Sequence, residues 1–336
     1  MGRVLVLGGT GFIGHHIVHQ LLKRGEQVSV LARPTSDRSL LRGVDVRIVE
    51  GDLDRSGMLE DALEGADALV HAAGYYPIWS FDKSKQVHLG LKQIGRIHKA
   101  LARRNVRRFL YVSSMSAVGR YEDGRPEDEN APFPSERYRS TYSSIKRAMQ
   151  DEVFSQASRF NSVVVAPTGV FGEGDRKPTT GRVVLDVARG RLPVALRGRM
   201  NAVDVHSVAW GVVEALARGR SGGLYVLGGE NVTIEGFLAR VARIAEVPPP
   251  RFALPPQVVL PFAWKTEVIG KLLRSKAPLL PVVGIDFARF GCFISSEVAA
   301  REFDYNPTAA SIDDVIRRTL AWFIDHGYLA GRKIES

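Results

Sequence analysis

A chain of 336 residues, 45% hydrophobic and 24% charged, has ample material for a buried core and suggests one large or two intimately joined domains. Cys292 is the only cysteine, which excludes an internal disulfide and a zinc cluster of thiolates and fits a reducing compartment. The net charge of +10 is scattered rather than gathered into a stacking-aromatic or recognition-helix pattern, so no nucleic acid is expected as a partner, and attraction for phosphate-bearing small molecules is its natural use.

Met1 runs at once into an apolar stretch, with none of the basic and apolar regions of a secretory signal. Residues 4–7 read as a buried strand. Residues 12–24 read as an amphipathic helix, with Ile13, Ile17 and Leu21 at helical spacing and Gly25 closing it. Strands follow at 27–32, 44–49 and 68–72, then a long helix over 83–104 and a fifth strand at 109–113. A loop rich in Pro, Glu and Asp spans 120–136. It delivers the chain to a helix over 141–158 and a sixth strand at 162–166. This alternation is the pattern of an α/β parallel sheet.

After Gly172 the alternation loosens. Helical signals fall near 182–189, 205–217, 235–246 and 312–326, and strand-like runs at 193–196 and 224–227. Pro248, Pro249 and Pro250 mark a break before an apolar segment, 252–285, which reads either as a lid or as a helical hairpin packing on the rest of the fold; packing is favoured. Its greasiest part, 252–264, is interrupted by Pro255, Pro256 and Pro261 and falls short of the ~20 apolar residues of a membrane span. No membrane span and a cytoplasmic location are expected.

Between the first strand and the first helix stands Gly8-Gly9-Thr10-Gly11-Phe12-Ile13-Gly14. Gly8 permits a tight turn, Gly11 lets backbone approach a pyrophosphate, and Gly14 allows helix and strand to lie close. The amides at the helix N-terminus then face the phosphate charge. The end of strand two bears on the cofactor. An NAD site usually places a carboxylate there, on the ribose 2′-hydroxyl, whereas this chain has Arg33 and no carboxylate before Asp37. Arg33 suits a 2′-phosphate, so NADP is expected, with NAD as the alternative should Arg33 merely stack on adenine or sit in solvent. Asp52 and Leu53, after strand three, would flank the adenine.

Tyr142 and Lys146 are four apart on a predicted helix and so share a face. A phenol has a pKa near ~10, too high for a good base at neutral pH, and a neighbouring ammonium favours the phenolate. Ser114, at the end of strand five, would hydrogen-bond the reacting oxygen, with Ser113 as the fallback. The spacing alone is loose; its weight comes from following Val112-Ser113-Ser114 in a chain that opens on the glycine loop.

These residues, together with Gly51-Asp52-Leu53, His71-Ala72-Ala73-Gly74, the run from Lys177 to Arg182 and Gly228-Gly229-Glu230-Asn231, resemble the extended short-chain dehydrogenase/reductases over nearly the whole length. Within that superfamily the chain is similar to the NAD-dependent epimerase/dehydratase group, in the branch of dihydroflavonol-reductase-like proteins and hopanoid-associated sugar epimerases. The resemblance implies an α/β fold: a Rossmann-type doubly wound parallel sheet with a smaller, mostly helical C-terminal substrate domain. Residues 1–175 would form the dinucleotide-binding domain, with a return segment around 201–227, and 176–336 the substrate domain. It implies that Ser114, Tyr142 and Lys146 are the catalytic trio. The cofactor would lie against Gly8, Thr10, Gly11, Phe12, Ile13, Gly14, Arg33, Asp52, Leu53, Ala72, Ala73, Gly74, Tyr142, Lys146, Pro167, Thr168 and Gly169.

Two departures from the family pattern stand out. His88 occupies the helix position where an asparagine often supports the lysine, and Val165-Ala166-Pro167 lacks the arginine common in sugar-nucleotide epimerases. The expected function is hydride transfer between nicotinamide and a carbonyl or alcohol of a small-molecule substrate, with a reductase favoured. The alternatives are a nucleotide-sugar or sugar epimerase or dehydratase and a non-catalytic NADP-binding sensor or scaffold. Two long helices covering the sheet would form a four-helix homodimer contact, as the family often does. The aromatic run at 75–79 would form a pocket wall or pack as an ordinary loop. Asp204 and His206 read as structural, and no metal is expected.

Overall fold

The computed structural model describes residues 2–55, 57–74, 80, 82–133, 140–272 and 282–329. The apolar run that opens the chain becomes β1 (Arg3–Leu7), the strand about which the main sheet reverses direction. It is followed by α1 (Phe12–Lys23), β2 (Gln27–Ala32), β3 (Arg47–Glu50), α2 (Met58–Ala62), β4 (Ala68–His71), α3 (Lys83–Arg104), β5 (Arg108–Val112), α4 (Thr141–Ser155), α5 (Ala157–Phe160) and β6 (Ser162–Pro167). The chain continues through β7 (Gly169–Phe171), α6 (Gly181–Ala188), β8 (Val194–Leu196), β9 (Arg199–Asp204), α7 (Val205–Arg218), β10 (Leu224–Leu227), β11 (Glu230–Thr233) and α8 (Ile234–Ile244). It closes with β12 (Phe252–Leu254), α9 (Pro256–Leu272), α10 (Val282–Arg289), α11 (Glu297–Phe303) and α12 (Ile312–Asp325).

Seven strands form the main sheet in the order β10-β6-β5-β4-β1-β2-β3, all parallel. Strands buried on both faces should read as unbroken apolar runs, and β1, β5 and β6 do. One face is covered by α1, α7 and α11, whose apolar stripes meet Val4, Val6, Val30 and Val165. The other is covered by α2, α3 and α4 over Leu5, Leu69, Phe109 and Val164. Because β2 and β4 flank β1, the chain leaves β1 in opposite directions on its two sides. The crevice between the carboxyl ends of β1 and β4 is where open α/β sheets bind ligands.

A second core gathers α6, α8 and α12 around Phe171, Phe237 and Phe323, beside a three-stranded sheet β11-β9-β7 and the pair β12-β8. The chain returns to the main sheet through α7 and β10, the latter pairing with β6.

Some expected boundaries move. Strand three starts at Arg47 because Val44 and Val46 are taken up in turns, their amides donating to Leu41 and Val44 carbonyls. The helix expected over 141–158 breaks at Gln156. Asn161, at φ 46°, then turns the chain into β6, a left-handed position that asparagine tolerates. In the segment 252–285, α9 and α10 pack against each other, leaving Phe252, Val258 and Phe262 exposed. The aromatic run at 75–79 lies outside the described residues.

Candidate active site

The glycine loop sits at the sheet's reversal point, and its glycines are required by contact. Gly8 has φ +83°, and a Cβ there would fall 2.6 Å from the Ala73 amide nitrogen, so the ends of β1 and β4 touch at this residue. A Cβ on Gly14 would lie 2.0 Å from the Gly8 carbonyl oxygen, which the Gly11 amide also approaches at 2.9 Å. Gly11 is the N-cap of α1 and has no side chain to satisfy the first amides, and no acid stands in the first turn. Those amides and the helix dipole therefore favour an anion. Phe12 and Ile13 are half-buried against the core, Thr10 is half-buried at the loop, and Ala72 and Ala73 pack onto opposite faces of the sheet just before exposed Gly74. A cradle that any added Cβ would fill, ending on uncapped amides, fits a dinucleotide pyrophosphate.

At the end of β2, Arg33 is exposed, and its guanidinium makes no ion pair among the described residues. The first carboxylate beyond it is already engaged. Asp37 pairs with Arg176 at 2.5 Å and accepts from the Ser39 amide, and these contacts hold its carboxyl down at about 2. Glu50, at the end of β3, pairs with Arg38 at 2.7 Å. Asp52 accepts from the Asp54 amide at 2.9 Å, and Leu53 packs on the core beside Ala73.

Lys146 is 1% exposed, the most deeply buried cation of the site. Its Nζ donates to the Val112 carbonyl at 3.0 Å and stands 5.0 Å from the Tyr111 ring. Burial pulls its ammonium down to about 7. Tyr142 is half-buried one turn earlier on α4, a helix capped by Ser140, whose hydroxyl oxygen accepts from the Ser143 amide. The two serines separate cleanly. Ser113 is buried and donates to Gln150 Oε1 at 2.7 Å, whereas Ser114 is half-buried and, among the described residues, accepts only the local Ser116 amide at 3.2 Å. Ser113 is committed to packing; Ser114 keeps a donor for a ligand.

Behind Lys146 lies a residue that sequence reasoning missed as polar machinery. His71 is 0% exposed, and neither ring nitrogen has a hydrogen-bond partner among the described residues. Burial, then the Lys146 charge, holds its imidazole neutral, down to about 3. The α3 side chain beside it is Gln93. His88 is exposed and off the face on which α3 meets α4 through Gly90.

Pro167, Thr168 and Gly169 join β6 to β7. The Thr168 hydroxyl donates to Asn201 Oδ1 at 2.7 Å, and a Cβ on Gly169 would meet the Asn201 carbonyl oxygen at 2.9 Å. Asn201 also accepts from the Gly229 amide and donates to the Gly229 carbonyl and to Asn231 Oδ1. Asn201 lies on β9 and Asn231 on four-residue β11, and neither strand shows a clean polar–apolar alternation to read. Asp204 caps α7 and pairs with Arg318 at 2.8 Å. No helix among the described residues is long and apolar enough to cross a membrane.

Comparison with known proteins identifies the family. The chain is 31% identical to a Synechocystis protein provisionally named dihydroflavonol 4-reductase, over 96% of this chain and 95% of that one. It is 29% identical to sterol demethylase protein B of Methylococcus capsulatus, over 97% and 99%. Among solved structures, a nucleoside-diphosphate-sugar epimerase from Pseudomonas aeruginosa superposes with a TM-score of 0.81 at 28% identity, covering 97% of this chain and 98% of that one. The model of the NAD dependent epimerase/dehydratase family matches residues 4–228. The chain belongs to that family and is an NAD(P)-dependent enzyme of the oxidoreductase/epimerase type.

Proposed function

We propose that this enzyme is an NADP(H)-dependent reductase acting on a carbonyl of an apolar small molecule, with Ser114, Tyr142 and Lys146 as its catalytic trio. The observation that carries the proposal is Lys146, a cation buried at a cost and placed one helical turn from Tyr142, below a serine that keeps a free donor. The nicotinamide, when bound, supplies or accepts the hydride. Ser114 orients the substrate oxygen, and Tyr142 gives it a proton. Lys146 lowers the cost of leaving the phenol oxygen negative.

Two relatives that match nearly the whole chain are named for a dihydroflavonol and a sterol, both fused-ring molecules rather than nucleotide sugars. Val165-Ala166-Pro167 offers no arginine for a nucleotide diphosphate. Exposed Arg33, with Asp37 and Glu50 already paired, favours the 2′-phosphate of NADP. The resemblance of the Pseudomonas structure supports a second reading, a sugar epimerase that regenerates its own cofactor. The reading extends to a cytoplasmic location, consistent with buried Cys292, and to a homodimer in which α3 and α4 of each copy pair.

Stoichiometry separates the two readings. A reductase consumes one NADPH per product alcohol, while an epimerase holds its dinucleotide tightly and shows no net consumption. Tyr142→Phe tests the trio: NADPH binds as in the wild type, and turnover falls by about 10²–10⁴. A fully active Tyr142→Phe enzyme would refute the assignment.

A further inference from the structure

Beneath the first turns of α1, three side chains from separate elements converge: His16 on α1, Glu173 in the turn after β7, and His206 in the first turn of α7. Each offers a ligand atom, and these atoms lie within 4.8 Å of one another. His206 Nε2 is 2.5 Å from Glu173 Oε1, and the His16 and His206 rings are 4.6 Å apart. His16 Nε2 donates to the Glu173 carbonyl at 3.0 Å, so the turn that carries the carboxylate also fixes the imidazole.

That turn is pinned from the other side as well. Any Cβ on Gly174 would fall 2.4 Å from the His15 ring, which itself packs 3.9 Å from His16. The arrangement is built by packing, rather than being a chance meeting of long side chains.

Glu173 supplies a second, independent sign. Its Oε2 is buried and has no hydrogen-bond partner among the described residues. An unpaired carboxylate oxygen out of reach of water is costly, and a cation would satisfy it. Arg318 pairs with Asp204 at 2.8 Å and also acts on Glu173 through its charge, but no hydrogen bond joins it to Oε2 among the described residues.

We propose that His16, Glu173 and His206 bind one divalent transition-metal ion, with Zn2+ as the best match. Two imidazoles and a carboxylate form a borderline donor set that suits Zn2+ and disfavours Mg2+, which demands oxygen. Three protein ligands leave a fourth position on the exposed side of His206, open to water or to a small anion. The ion would tie α1, whose N-terminus faces the dinucleotide phosphates, to α7 and the turn after β7. The site clamps the cofactor-bearing helix and takes no part in hydride transfer.

The test is calorimetric titration of the chelator-treated full chain with ZnCl2 and, separately, with MgCl2. The wild type is expected to bind one Zn2+ with micromolar affinity and to melt at a higher temperature in its presence. Glu173→Gln and His206→Ala, chosen because these side chains are less buried than His16, should each weaken Zn2+ binding at least tenfold and abolish the shift in Tm. Circular dichroism would verify that both variants keep the fold. Absence of one-site binding in the wild type overturns the proposal. So does undiminished Zn2+ affinity in the two variants, which would place the ion on other histidines, or Mg2+ binding as tight as Zn2+ binding.

Discussion

Lys146→Met should make the dinucleotide-free protein more stable and the enzyme inactive. The lysine is 1% exposed, and burial moves its pKa from 10.5 to about 7. At pH 7 that displacement costs the fold about 4 kcal/mol, at 1.36 kcal/mol for each tenfold change in proton affinity. Methionine has a similar length and no charge, so it removes the cost but strands the Val112 carbonyl that Nζ reached at 3.0 Å, a loss of about 1–3 kcal/mol. The net expectation is a gain of about 1–3 kcal/mol at pH 7.

The pH dependence has a definite sign. A depressed lysine pKa means that the unfolded chain binds more protons between pH 7 and 10.5, so wild-type stability rises with pH through that window. The cost is full below pH 7 and gone above 10.5, and at pH 9 about 2 kcal/mol of it remains. The advantage of the variant should therefore shrink by about 2 kcal/mol between pH 7 and pH 9. Urea unfolding of both proteins at the two pH values measures this, with turnover followed in parallel. A variant less stable than the wild type at pH 7, or an advantage equal at both pH values, would refute the reasoning.

The remaining predictions concern the cofactor loop and the serines. Arg33→Ala should weaken NADPH binding by about ten- to a hundredfold, the worth of a charge-assisted pair at about 1.5–3 kcal/mol, and leave NADH nearly unchanged. Fluorescence titration reads both, and an equal effect on the two cofactors would remove the 2′-phosphate assignment. Gly14→Ala places a methyl 2.0 Å from the Gly8 carbonyl oxygen and should cost about 1–3 kcal/mol of stability along with dinucleotide affinity; a Tm and a Kd equal to the wild type would show that the turn relaxes freely. Ser114→Ala should lower turnover by about 10²–10³ with the fold intact. Ser113→Ala should instead leave turnover alone and cost about 1–2 kcal/mol by unpairing buried Gln150, so reversed effects would exchange the roles of the two serines.

How much of this could be read beforehand follows the range of each interaction. The glycine loop was legible because everything it requires lies within a few residues: a strand before it, a helix after it, and a third glycine pressed onto the carbonyl of the first. Tyr142 and Lys146 were legible as a pair for the same reason, one helical turn. The burial of Lys146 was not, since β4, β5 and α3 form the wall around it. His71 looked like one more residue of a buried strand, and only the packed chain shows its ring beside the ammonium. His206 had no ligand spacing nearby. Its partners stand 33 residues away at Glu173 and, through that turn, a further 157 away at His16.

The same logic explains why the junction between the two cores was invisible in the sequence although it is tightly specified. Asn201 has four hydrogen-bonding capacities, and Thr168, Asn231 and both backbone groups of Gly229 use them all. Asn231 then exchanges two bonds with the backbone of Ile294. At the other end of the cofactor edge, Arg176 reaches Asp37 from the turn after β7, and its own carbonyl accepts from the Tyr328 hydroxyl at 2.6 Å. A buried polar network is costly when any member goes unpaired, so the Asn201–Asn231 set favours one seating of β11 and the Ile294 segment against β9 and the turn at 167–169, whereas the Arg176–Asp37 pair is exposed and adds a weaker surface tie. The first set touches the turn at 167–169 and the second the loop after β2, the two segments proposed to contact the cofactor. These contacts join the second core to the carboxyl edge of the sheet through residues that, one by one, look like ordinary polar surface.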